Sequence, residues 1–174
     1  MKTKDSLAIY LNDHYAGAAA GVALIERIAR AHDGPVGAES NRLAAEITAD
    51  RNVLRQLMRH LGIGVSRYKM IGGWLAEKVA RLKSNGRIIR RSPLSSVIET
   101  EGMLTGVHAK AAAWRLLRAV AEHDTRLDPA EFDALVARAE DQARSLEQLR
   151  ITMALDVFGR HGTAASAVGG STRD

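Results

Sequence analysis

The chain has 174 residues, 46% of them hydrophobic but only 4% aromatic, with no cysteine and a formal net charge of +5. That length suits one domain with a real core, and an alanine-rich, aromatic-poor composition favours close-packed helices over a sheet. The missing cysteines exclude disulfides and thiolate metal sites; a start interrupted by Asp5, Asn12 and Asp13 lacks a secretory pattern, so a cytoplasmic protein is expected.

The first helix is predicted over 6–31. Leu7, Leu11, His14, Ala18, Gly21, Ile25 and Ile28 recur at four-three spacing, and the small residues Ala18 and Gly21 let a neighbouring helix approach closely. Its run Ala16–Ile25 is too short to span a bilayer and ends in Glu26. His32-Asp33-Gly34-Pro35 breaks the pattern, and Gly37 marks the start of the next segment.

A second helix is predicted over 38–61, with the stripe Leu43, Ile47, Asp50, Leu54, Leu57 and Leu61. Asp50 therefore stands where the repeat calls for an apolar side chain. The short loop makes the first two helices antiparallel neighbours.

Gly62–Pro93 is a long connector with an amphipathic centre. Gly62 and Gly64 end one helix, Ser66 can cap another over 66–84, and Ile71, Leu75, Val79 and Leu82 form its apolar stripe beside Trp74. Asn85-Gly86 stops it. Eight basic residues and one acid give this connector +7, against +5 for the whole chain, leaving −2 for everything else. Lys78, Arg81, Lys83, Arg87, Arg90 and Arg91 are the candidate polyanion-binding set, suited to nucleic acid phosphates or an anionic lipid surface. The plainer reading is a solvated basic face over a packed stripe.

Ser92-Pro93 opens a third helix, predicted over 93–122, with Val97, Leu104, Val107, Ala111, Trp114 and Ala121 on one face. Asp128-Pro129-Ala130-Glu131 reads as a capping box for a fourth, predicted over 129–158 through Phe132, Leu135, Ala139, Leu146, Leu149, Met153 and Val157. Beyond it, 159–174 is expected to be a disordered tail.

Two antiparallel hairpins joined by a long crossover give an all-α, ferritin-like four-helix bundle with an additional crossover helix, one domain over 1–158. The strings Leu11-Asn12-Asp13-His14, Ala45-Glu46-Ile47-Thr48-Ala49-Asp50-Arg51 and Glu99-Thr100-Glu101-Gly102 resemble uncharacterised bacterial ferritin-like proteins. That resemblance implies a fold and no particular activity.

Ferritin-like di-iron sites take a glutamate from two helices and a Glu-x-x-His pair from each of the others. No Glu-x-x-His occurs here. Register across the two hairpins allows Glu26, Glu46 and Asp50 to cluster, and Glu101, Glu147 and His108 likewise, which together make a candidate metal set. Each acid also has a base nearby in sequence, among them Arg27, Arg51, Arg115, Arg144 and Arg150, and salt bridges are the plainer account of Glu26, Glu140 and Glu147. For Asp50 the expectation is a buried hydrogen bond to His14 that fixes helix register.

No catalytic nucleophile, phosphate loop or zinc spacing emerges. The leading expectation is a non-enzymatic interaction or scaffold protein with no cofactor, acting with a protein partner or as a homo-oligomer. A divergent di-iron carboxylate oxidase or ferroxidase is the alternative, and a binder of nucleic acid or anionic membrane through the connector is the third reading.

Overall fold

The computed structural model describes residues 3–66 and 93–167, with side chains described over 6–66 and 94–159. Four helices make up these residues: α1 (Thr3–Ala29), α2 (Gly34–His60), α3 (Pro93–Ala121) and α4 (Pro129–Ala167). The described residues contain no strand, so the structure is an all-helical bundle. The expected crossover helix over 66–84 falls almost wholly outside the described residues.

α1 lies beside α2 and α3, and α4 lies beside α3 and α2. Paired residues give the directions. Arg27 near the end of α1 meets Glu99 near the start of α3 at 3.1 Å, and His32 Nε2 bonds Ser96 Oγ at 2.9 Å. On the opposite side Arg42 of α2 donates to Ser145 at 3.0 Å, while His60 Nε2 at the far end of α2 donates to the Arg126 carbonyl before α4 begins. Arg150–Glu101, Arg115–Glu140 and Arg118–Asp133 tie α4 to α3 along its length. Each neighbouring pair is antiparallel.

The α1–α2 turn is shorter than the sequence suggested. α1 ends at Ala29 and α2 begins at Gly34, not 38, because Pro35 falls in the first helical turn, where its missing N–H costs nothing. Gly34 supplies a left-handed φ of 62°. Gly37 is buried inside the new helix: a Cβ placed there would lie 2.1 Å from the His32 carbonyl oxygen. Only glycine lets the chain fold back this tightly.

α2 stops in a Schellman motif. Ile63 N–H bonds the Met58 carbonyl at 2.8 Å and Gly62 N–H bonds that of Arg59 at 3.0 Å, with Gly62 at φ 68°. Ile63 and Met58 are both buried, the apolar contact that accompanies this ending. The chain then turns towards α1. The buried side-chain amide of Asn12 donates to the Gly64 carbonyl at 3.1 Å, and its oxygen accepts from Ser66 N–H at 2.7 Å. At α4 the expected cap is present, with Asp128 Oδ1 accepting from Ala130 N–H at 2.9 Å. α4 continues through Ala167 instead of ending at Phe158, so the first part of the expected tail is helix.

The core follows the expected stripes closely. Leu11, Ile25 and Ile28 of α1, Leu43, Ile47 and Leu54 of α2, Val107, Ala111 and Trp114 of α3, and Phe132, Leu146 and Met153 of α4 are buried in one cluster. On α1, however, Tyr15 takes the core place expected of His14, which is only half-buried. The Tyr15 ring lies 5.1 Å beneath the guanidinium of Arg51 from α2.

Candidate functional site

Asp50 lies at mid-length on the inner face of α2 and is 2% exposed. A carboxylate so deep in an apolar bundle needs charge compensation from the protein or a proton. Lys110 of α3 reaches across the bundle, and its Nζ lies 2.5 Å from Asp50 Oδ2. The same oxygen accepts a hydrogen bond from Gln142 Nε2 of α4 at 3.1 Å. Arg138, one turn earlier on α4, pairs with Oδ1 as an ion pair without hydrogen-bond alignment. Three of the four helices thus converge on one carboxylate.

The network continues outwards. Lys110 also donates to Gln142 Oε1, which fixes the orientation of that amide and directs its Nε2 towards both Asp50 and Glu46 Oε2, the latter at 3.2 Å. Glu46 pairs with Arg42, which also forks onto Glu39 and reaches Ser145. This chain of contacts runs from the bundle interior to the solvent edge of the α2–α4 seam.

Electrostatically the network is a compensated interior. Burial pulls the Lys110 ammonium below its ordinary pKa, and Asp50 opposes that shift by charge and hydrogen bond. At the solvent edge the Glu39 hydrogen bond raises the Arg42 guanidinium, and Arg42 in turn lowers the Glu39 carboxyl. An ammonium held against a carboxylate acts as a counter-ion, which leaves it a poor nucleophile.

Lys110, Arg138 and Gln142 were not anticipated from sequence. Gln142 left a trace: the α4 stripe passes from Ala139 to Leu146, and the place between them belongs to a polar residue that is buried, as Asp50 is on α2. Lys110 and Arg138 flank apolar stripes, positions that ordinarily carry solvated charge.

The expected partner of Asp50 is therefore corrected. His14 packs against the Tyr10 ring, with centroids 4.5 Å apart, and among the described residues Asp50 is held by Lys110, Gln142 and Arg138 instead. Desolvation lowers the His14 pKa, with Asp13 opposing it. The physical reason is reach: a flexible lysine crosses the bundle, whereas the imidazole lies to one side of α1.

The six candidate metal residues do not converge. Glu26 pairs with Arg30 at 3.6 Å, Glu101 with Arg150 at 3.3 Å and Glu147 with Arg150 at 2.7 Å; His108 is exposed. Glu46 and Asp50 share the network above with bases and an amide. Among the described residues no three His, Asp or Glu side chains form a metal-holding group. Lys78, Arg81, Lys83, Arg87, Arg90 and Arg91 lie outside the described residues. No described helix is long and apolar enough to cross a membrane.

Compared with known proteins, the chain matches no family model, no curated protein and no solved structure.

Proposed function

We propose that the chain is a non-enzymatic interaction or scaffold protein on a ferritin-like bundle, in which protein cations occupy the place a metal would take. The observation that carries this reading is the Lys110 ammonium 2.5 Å from Asp50 Oδ2, with Arg138 on the other oxygen. A carboxylate whose two oxygens already face cations has little to offer a metal ion. The surrounding acids are likewise spent on arginines. The shared direction of α2 and α3 supports this reading, because the second and third helices of the ferritin-like plan also run the same way.

The test is metal content of protein purified without chelator, followed by anaerobic Fe(II) titration and exposure to air. The expected result is no retained metal and no oxygen-dependent absorbance change. Binding of about two irons per chain with such a change would establish the divergent di-iron oxidase reading instead.

A further inference from the structure

Part of the outward side of the α3–α4 hairpin is apolar, although Arg144 and Asp141 of α4 stand exposed farther along it. Eight large hydrophobic side chains stand exposed among the described residues, and six of them lie here: Leu94, Ile98 and Leu116 on α3, and Ile151, Leu155 and Phe158 on α4. Leu155 and Phe158 are the most open, at 68% and 60%. The antiparallel register that pairs Thr100 with Met153 and Glu101 with Arg150 sets Ile98 level with Leu155 and Leu94 level with Phe158. Leu94, Ile98, Ile151, Leu155 and Phe158 therefore form one patch, of the kind that marks an interaction site, and Leu116 stands apart at the other end of α3.

α3 carries a second helix-packing stripe on this side. From Leu94 to Leu116 it steps at four-four-three-four-three-four spacing through Gly102, Thr105, Ala109 and Ala112, every position exposed and none charged. Its first stripe already faces the bundle core. A second one, small in the middle and large towards both ends, is shaped for another helix.

We propose that this face binds the same face of a second copy of the chain, α3 against α3 in antiparallel alignment about a two-fold axis. A two-fold interface must complement itself, and this stripe does. With Ile98 level with the partner's Leu116, Thr105 meets the partner's Ala109, so the helices touch closely at the centre while the large side chains pack on either side. Gly102, level with the partner's Ala112, borders α1, where a Cβ would lie 3.8 Å from Leu24.

Charge selects the same alignment. Glu101 and Arg115 flank the stripe on its α4 edge, and each is 54% exposed while held by Arg150 and Glu140 respectively. In the antiparallel register Glu101 falls about two residues, or about 3 Å of axial rise, from the partner's Arg115, and the reverse pair forms by symmetry. In a parallel two-fold alignment the two copies of Glu101 fall on opposite edges of the interface, as do those of Arg115, and Glu101 lies at a different level from Arg115, so the glutamate–arginine pair does not form. The described chain also leaves α2 on the α1 side, where Asn12 holds Gly64 and Ser66.

Sedimentation equilibrium of the full chain, from low micromolar concentration upwards, tests the proposal. A mass about twice the 18.8 kDa chain is expected. Leu116→Glu should give a monomer with unchanged helicity by circular dichroism. Glu101→Arg and Arg115→Glu should each weaken the dimer about tenfold, and the double reversal should restore it, because it re-forms the pair across the axis. A monomeric wild type, a Leu116→Glu dimer as tight as wild type, or a double reversal no better than either single change would overturn it. A wild-type monomer that Leu116→Glu unfolds would assign the face to the chain's own residues 67–92.

Discussion

Lys110 Nζ lies 2.5 Å from Asp50 Oδ2 although the two residues are 60 positions apart and belong to helices in different hairpins. Their pairing ties the hairpins together through the bundle centre. It also makes the two residues energetically inseparable, because either one left alone is a buried charge facing an incomplete partner set.

Lys110→Met should therefore destabilise the fold, towards the lower end of the about 3–5 kcal/mol typical of breaking a buried pair, since Arg138 and Gln142 remain on Asp50. The double change Asp50→Leu with Lys110→Met should recover most of that loss by replacing the pair with packed apolar volume. Urea denaturation of the two single variants and the double variant closes the cycle. Additive losses would show that the pair is not coupled.

The lowered Lys110 pKa has a defined sign. Its folded value lies below the ordinary 10.5, so between the two values the unfolded chain binds more protons. Stability from this group rises with pH across that window, as the cost of burying the ammonium is relieved. Tyr10, whose pKa burial raises, works in the opposite direction near pH 10. The difference in stability between wild type and Lys110→Met should consequently shift in favour of wild type as pH climbs towards 10.5. A difference that stays flat over this range would contradict the assignment.

Asn12 is a clamp whose loss should be felt locally. Asn12→Ala removes the two hydrogen bonds to the Gly64 carbonyl and the Ser66 amide. A cost of about 1–3 kcal/mol is expected. Native-state hydrogen exchange at the Ser66 amide should accelerate well beyond the change seen in the middle of α2. Uniform acceleration across both sites would mean that the effect is global and that Asn12 is not specifically a clamp.

Gly37→Ala should destabilise far more than its exposed neighbour Ala38→Gly. The new methyl would meet the His32 carbonyl, a backbone atom that cannot move without opening the α1–α2 turn. A loss of about 2 kcal/mol or more, corresponding to a fall of about 4–8 °C in Tm, is the expected scale. Thermal unfolding followed by circular dichroism would measure it, and an unchanged Tm would show that the turn relaxes freely.

Much of the bundle was readable locally. Gly62 as a helix stop, Asp128 as a cap and the two short hairpin loops depend on residues a few positions apart. Asp50 stood out because it interrupts a repeat that its neighbours define. The α1–α2 boundary was misplaced because Gly34, Pro35 and Gly37 look like a loop in isolation, while a tight turn needs each of them in the helix's first turn. The metal set failed for a different reason: carboxylates within reach along a hairpin still have to share a helix face, and Glu26, Glu101 and Glu147 turn towards arginines on the outside.

By itself, then, the sequence determined the helices, their pairing into hairpins and the burial of Asp50, because period, caps and turns act over a few residues. The tertiary structure alone decided what surrounds that carboxylate. Lys110 and Gln142 come from 60 and 92 positions away, and their meeting depends on how helices from separate hairpins are rotated about their axes. It also decided that the second stripe of α3 faces outwards, since a helix with two apolar faces can bury either one until its neighbours are in place.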